Sequence, residues 1–573
     1  MRLPANKLRR LWRKKIALWL LLLPVVFILL AYVLFPQAEI FIQSFSREGQ
    51  WTFANYFDFF NFRASANLEA LWGSLYISVL TVLFSALVGI PLATLFSFYD
   101  FPGKRVFASI AVLPIVMPPL VGVLAFLFLF GESGILPRAL QAALHLPSVP
   151  FGIDGVGAIL VVHVYTMYVY FYLFCSDFFS GLDVSLLEAA RNLGAKRLMI
   201  LHRVILPMMT PAVGGASILV FMTSMASFSA PFIFAGSFRI LSLEIYNTKL
   251  NGDLEMAVTQ SVLLAAISIL FLVLLRKYSE HRQYTGGGKG ASIHVKAISH
   301  GWRRIVMGAF GILMVVVVIL PHLTVILMSF VKNGTWTWQT LPPSYTFENY
   351  SNLLNDPRVM EPVSNSVRMA VLATLANIVF GLAAAYLLVR YKFKGKKWIE
   401  SLVMLPWAIP GTVLAISLII TFNRPTWLSA GQILVGTFWI LPLAYFIRNI
   451  PLVFRSTFAT LEQFDPALEE SARNLGATWW FSFRRVILPL IAPAVLSGSL
   501  LAFVLALGEF VSSILLYNFD NRPISVEIVS QLRIFNLGSA AAYSVFLIIL
   551  IGFVVGLSNR TFGKKRGVAG FAG

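Results

Sequence analysis

Cysteine is almost missing from these 573 residues: Cys175 stands alone, so no intrachain disulfide can form and a multi-thiolate metal site is excluded. Charge is nearly as scarce. Charged residues make up 12% of the chain and hydrophobic ones 58%, whereas a soluble domain carries about 25% and 45–50%. Carboxylates are the rarer sign, with 25 Asp and Glu against 45 Lys and Arg. Residues 81–98 and 106–131 hold no charge at all. A helix needs about 20 apolar residues to cross roughly 30 Å of hydrocarbon. Backbone in lipid must satisfy itself, which leaves helices or a closed barrel, and these runs lack the period-two alternation of barrel strands. Also missing are H-E-x-x-H, G-x-S-x-G and any His/carboxylate cluster, so nothing points to an enzyme.

What is present is an all-α integral membrane protein of about twelve spans. They start near Ile16, Leu71, Val106, Gly157, Leu206 and Met256, then near Ile305, Asn365, Trp398, Ala430, Leu488 and Ala541. The apolar run 16–35 is longer than the roughly 7–15 residues of a signal-peptide core, and no small-x-small cleavage site follows. It is expected to stay as a span, behind a basic segment 1–15. The net charge of +20 invites nucleic acid, but its placement argues for lipid. Seven Lys and Arg precede the first span, seven lie between the sixth and seventh, and five occupy 390–397. That clustering follows the positive-inside rule and puts both termini in the cytoplasm. Membrane lipids, and no nucleic acid, are the expected surroundings.

The chain repeats itself. EAARNLGAKRLMILHRVILP starts at Glu188 and ESARNLGATWWFSFRRVILP at Glu470, an ungapped match at an offset of 282 with 12 of 20 positions identical. FYDFPGKR from Phe98 resembles VRYKFKGKK from Val389, and QWTFANYFDFF from Gln50 echoes SYTFENYSNLL from Ser344. Two homologous six-helix halves, 16–278 and 305–560, follow in the same orientation, because six spans is an even number. Between them 279–304, with TGGGKGAS, reads as a flexible linker. Its GGGKG is no phosphate loop: Lys289 is followed by Gly290 rather than Ser or Thr, and no strand precedes it. Residues 561–573 form a cytoplasmic tail.

The repeated loops, 183–207 and 465–489, sit between the fourth and fifth spans of each half. Asp183 and Asp465 suit N-caps and Pro466 the first helical position, while Gly194 and Gly476 suit the left-handed residue that ends a helix. Helices of about three turns are predicted at 184–193 and 466–475. Leu186, Ala190 and Leu193 form an apolar stripe, matched by Leu468, Ala472 and Leu475, with Arg191 and Arg473 on the flank. A short capped amphipathic helix in a loop suits the groove of another protein, and two copies imply two equivalent grooves.

The pattern E-x-A-x-x-x-G, with the Pro of I-L-P thirteen residues beyond the glycine, resembles the EAA loop of binding-protein-dependent ABC importer permeases. Ser471, where the second position is usually Ala, is a small-for-small departure. The resemblance spans nearly the whole chain, apart from the linker and tails. It implies that Glu188, Ala190, Arg191 and Gly194, with Glu470, Ala472, Arg473 and Gly476, couple to a homodimer of ATP-binding subunits. ATP and magnesium would sit on that partner, with no cofactor on this chain. A periplasmic or lipid-anchored solute-binding protein would deliver cargo across the prokaryotic inner membrane by alternating access. Fused permeases of this spacing look most like the iron(III) group, so ferric iron is the expected cargo. Relatives carrying 2-aminoethylphosphonate, thiamine, polyamines, or sulfate and molybdate are the alternatives.

Polar groups inside spans mark pathways or packing. MASFSAP from Met225 aligns with LGEFVSS from Leu507, which pairs Ser227 with Glu509 and Phe228 with Phe510. These four are the candidates for the solute path. Glu509 either attracts a cationic solute, pairs with a base, or is a helix-end glutamate near the external interface. His163 reads as a hydrogen-bonded packing residue and Arg368 as a snorkelling residue at a span end. Pro114, Pro118, Pro119, Pro406 and Pro410 predict kinked or broken third and ninth spans. An ion-coupled secondary transporter also offers twelve spans, but it would carry more intramembrane ionisable groups and no duplicated capped helix.

Overall fold

The computed structural model describes residues 20–62, 66–281, 296–297, 301–337 and 339–562. The basic segment 1–15, most of the linker 279–304 and the end of the tail, from 563 on, lie outside the described residues. Ten principal helices form each half. In the first they are α1 (Leu20–Gln43), α2 (Ala66–Phe98), α3 (Lys104–Ile110), α4 (Pro119–Phe130) and α5 (Gly155–Ser180). There follow α6 (Val184–Asn192), α7 (Leu206–Met225), α8 (Ser229–Phe234), α9 (Leu241–Leu250) and α10 (Leu254–His281). The second half repeats the order, with α11 (Gly301–Ser329), α12 (Pro357–Arg390), α13 (Lys396–Ala408), α14 (Gly411–Phe422) and α15 (Ile440–Gln463). It ends with α16 (Pro466–Asn474), α17 (Leu488–Leu507), α18 (Val511–Leu516), α19 (Ile524–Arg533) and α20 (Leu537–Phe562).

Among the described residues ten helices are long and apolar enough to cross a membrane, or eleven if the pair α13–α14 counts as one span. The remaining expected span is α15. Its 24 residues are long enough at about 1.5 Å each, but Arg448, Asn449 and Arg455 lower its apolar character. Its start moves from the expected Ala430 to Ile440, because Ala430, Gly431 and Gly436 all have positive φ and turn the chain before the helix begins. α12 starts earlier than expected, at Pro357 rather than near Asn365, since Asp356 caps it by accepting from the Arg358 N–H at 2.9 Å.

The prolines act as the sequence predicts. The third span breaks at Pro118, which has φ −53° and ψ 133°, and α4 begins at Pro119 rather than near Val106. The ninth breaks between Ala408 and Gly411, where the chain bends by 107°. Proline removes a backbone donor and forces the preceding residue out of the helical region.

Within each half the second and fourth spans pack closely. A Cβ at Gly89 would lie 2.5 Å from the Tyr168 carbonyl oxygen, and one at the equivalent Gly381 would lie 3.0 Å from the Phe454 nitrogen. At Gly89 only a bare backbone permits this approach, and at Gly381 a Cβ would press on its neighbours. The first span of each half, by contrast, docks on the other half. In α1, Gln37 Nε2 donates to Ser417 Oγ at 2.7 Å, Tyr32 donates to the Leu428 carbonyl at 2.8 Å, and Glu39 pairs with Arg424. Reciprocally, Tyr165 of α5 donates to the Val318 carbonyl of α11 at 2.7 Å. Sequence gives no sign of this exchange.

Candidate functional site

Two regions carry the predicted site residues. The first is the pair of repeated loops. Asp183 accepts from the Ser185 N–H and Asp465 from the Ala467 N–H, each at 2.9 Å, which satisfies one orphan donor of each helix. At the far ends Gly194 and Gly476 take φ +82° and +88°. The Gly194 N–H reaches the Arg191 carbonyl at 2.9 Å and the Ala195 N–H the Ala190 carbonyl at 3.0 Å; Gly476 and Ala477 make the same two bonds to Arg473 and Ala472. Both helices therefore end in a Schellman motif.

The leucines of the stripe point away from the protein. Leu193 and Leu475 are 88% and 90% exposed, while Leu186 and Leu468 are about half exposed. Glu188, Arg191, Glu470 and Arg473 are exposed beside them, whereas Ala190 and Ala472 are partly buried under the helices. Beyond each loop the chain makes one π-helical turn, at Leu201–Ile205 and Phe483–Ile487. In these turns the N–H groups of Leu206 and Leu488 reach back five residues, to Leu201 and Phe483. Such turns recur at functional sites, and here they lead straight into the fifth and eleventh spans.

The two loop helices are anchored differently. In the first half Leu187 is buried in an apolar cluster that Phe98 packs against. In the second half the same repeat positions hold Glu469 and Arg390, paired at 3.2 Å. Glu469 also pairs with Arg473 and accepts from the Tyr386 hydroxyl at 3.4 Å, while Trp479 Nε1 donates to Tyr386 at 2.8 Å.

The second region is the break in the fifth and eleventh spans. α7 stops at Met225 and α8 starts at Ser229; α17 stops at Leu507 and α18 starts at Val511. Ser227 Oγ lies 2.8 Å from His163 Nε2, and His163 Nδ1 lies 3.2 Å from Thr81 Oγ1, so His163 is the hydrogen-bonded packing residue expected. Glu509 does not end free at an interface. Its Oε2 is 3.0 Å from Arg448 Nε, and its Oε1 accepts from the Ser512 N–H at 2.9 Å. Phe228 and Phe510 meet across the two halves with ring centroids 5.8 Å apart, and Phe232 adds a contact to Phe510 at 5.6 Å. Phe228 and Phe510 are 1% and 2% exposed.

Arg448, Arg390 and Glu469 were not singled out by the sequence. A signal existed, because the halves differ by matched charges: Thr166 and Ser227 become Arg448 and Glu509, and Phe98 and Leu187 become Arg390 and Glu469. A carboxylate that arrives together with a base in one copy of a repeat points to an ion pair.

This arrangement defines a polytopic, two-fold repeated permease with one exposed, capped loop helix per half. A family model described as "Binding-protein-dependent transport system inner membrane component" matches residues 82–283 and again 377–567. The chain belongs to this family and carries its unit twice, fused in one polypeptide. Among similar proteins, the "Probable ABC transporter permease protein y4fN" of Sinorhizobium fredii is 30% identical, over 84% of this chain and 85% of its own length. The "Ferric transport system permease protein FbpB" of Actinobacillus pleuropneumoniae is 26% identical, over 95% of this chain and 78% of its own. The "Sulfate transport system permease protein CysT" of Escherichia coli is 30% identical, over 38% of this chain and 83% of its own. The chain is thus an ABC transport permease rather than an enzyme or a secondary transporter.

Proposed function

We propose that this permease imports ferric iron, delivered by an external solute-binding protein, by alternating access. The observation that carries the importer reading is the exposed leucine pair on each loop helix, Leu186 with Leu193 and Leu468 with Leu475. Among the described residues Leu193 and Leu475 lie open and Leu186 and Leu468 half-open, and an apolar stripe presented in this way suits a groove of an ATP-binding subunit. Two equivalent helices match a homodimer of such subunits, which bind ATP and magnesium and move the helices together. Glu188, Ala190, Arg191, Gly194 and their counterparts Glu470, Ala472, Arg473 and Gly476 form the coupling surface. The chain itself performs no covalent chemistry.

The loop face is the cytoplasmic one, since Lys and Arg concentrate in segments on that side; both termini lie there, and the break at Phe228 and Phe510 faces outward. Ferric iron is supported by the ferric transport permease of Actinobacillus pleuropneumoniae, whose match covers 95% of this chain. Sulfate is the second reading, resting on a relative that covers 38%.

Co-purification in mild detergent tests the coupling, and uptake of radioactive iron in cells expressing the neighbouring binding protein and ATPase tests the cargo. Two ATPase copies per permease are expected, falling to none when Leu193 and Leu475 are both replaced by Asp. Iron uptake that stays at background while sulfate accumulates would transfer the cargo to the second reading.

A further inference from the structure

Arg368 is an exposed cation on the flank of the second half, and among the described residues no hydrogen bond or ion pair holds it. It lies on α12, twenty-two residues before Arg390, and residues 369–389 between them carry no charge. At about 1.5 Å per residue the two arginines stand about 33 Å apart along the helix, close to the roughly 30 Å of a hydrocarbon core. Arg390 belongs to the loop face, where it pairs with Glu469. Arg368 therefore sits at the opposite boundary, at the level of the lipid phosphates. Phe438 and Trp439, just before α15 begins at Ile440, mark the same level, as aromatic residues do at membrane interfaces.

Beside Arg368 the surface is hollow. An open, shallow depression of about 480 Å³ is bounded by Arg368, Val371, Leu372 and Phe438. Leu372 also borders a second cavity of about 330 Å³, lined by Tyr32, Ala376, Trp439 and Phe446 among others. The second is a furrow between α1, α12 and α15, lined mostly by apolar side chains; the Tyr32 hydroxyl on its wall donates to the Leu428 carbonyl. It runs from the arginine towards the membrane interior.

We propose that this furrow is a binding site for one anionic phospholipid, with its phosphate on Arg368 and an acyl chain along Leu372, Ala376 and Phe446. Charge complementarity selects the occupant: a guanidinium at phosphate depth with no partner among the described residues favours a net negative headgroup and donates to phosphate oxygens in pairs. A zwitterionic lipid offers the same acyl chain without the net charge. The first half has Tyr76 where the second has Arg368, by the alignment that matches Gly103 with Gly395. The site is therefore single, not doubled like the loops. Because α1 forms one wall, the bound lipid also braces the span that crosses from one half to the other.

The test is native mass spectrometry of the full chain from nanodiscs of phosphatidylcholine containing a minor fraction of phosphatidylglycerol. One phosphatidylglycerol per chain should survive activation energies that strip phosphatidylcholine. Arg368→Gln should reduce its retention at least five-fold, and Arg368→Lys should keep part of it. Ala376→Trp, which fills the furrow and leaves the arginine intact, should reduce it as well and guards against a folding defect in the first variant. Equal retention of phosphatidylglycerol by the wild type and both loss variants would overturn the proposal. So would equal retention of the two lipids by the wild type, or a photo-crosslinker at Leu372 that captures polypeptide instead of lipid.

Discussion

Phe228 and Phe510 are the same residue of the repeat, and their rings touch at 5.8 Å on the axis that relates the two halves. Each follows a break in its span, so each is carried by backbone that can turn without unwinding a helix. Phe232 closes on the same ring from the side. On the proposed import path between the halves, a solute would have to part these rings.

Removing both rings should therefore open the outer side. Met225 is fully buried just inside the break, and Cys175 is buried too, so a cysteine placed at 225 reports on access. In Phe228→Ala/Phe510→Ala/Met225→Cys, a membrane-impermeant maleimide added from outside should label at least ten times faster than in Met225→Cys alone. Unchanged labelling would show that the seal lies elsewhere.

Glu509 is 10% exposed and Arg448 32%. Breaking a buried pair by removing one partner costs about 3–5 kcal/mol, and the partial exposure of Arg448 brings the expected figure down to about 1–3 kcal/mol. Glu509→Gln should lower the melting temperature in detergent, and so should Arg448→Gln. The double variant should melt above the sum of the two losses. Strictly additive effects would mean that the pair contributes nothing to the fold.

The second loop helix hangs on Glu469, held between Arg390 and Arg473. Glu469→Gln leaves Arg390 without a counter-charge and should cut uptake several-fold while the protein stays inserted. Glu469→Leu combined with Arg390→Phe rebuilds the apolar anchor of the first half and should recover at least half of wild-type uptake. Failure of that exchange would show that the charges do more than hold the helix in place.

Gly194 and Gly476 sit at φ +82° and +88° with open space around them. A side chain meets no clash there, so any cost is conformational, about 1–2 kcal/mol for a left-handed non-glycine residue. Valine at both positions should unwind the loop ends and abolish uptake, with normal amounts of protein in the membrane. Full uptake by this variant would remove the loops from the coupling path.

Much of this protein is legible in its residues. Lipid dictates helices wherever charge is missing for twenty residues. Proline removes a donor at Pro118 and Pro410 whatever surrounds it. Asp183, Asp465, Gly194 and Gly476 set the ends of two short helices through bonds made within a few residues of themselves. All of these are local effects, so the sequence by itself determined the class, the repeat, the loop helices and the broken spans. Tertiary structure alone decided which distant groups meet: α1 against the other half, Arg448 with Glu509, Arg390 with Glu469, and Phe228 with Phe510. Residues 61 or 282 positions apart come together through helix packing in three dimensions, and a one-dimensional pattern states what each side chain can do without stating what it will face.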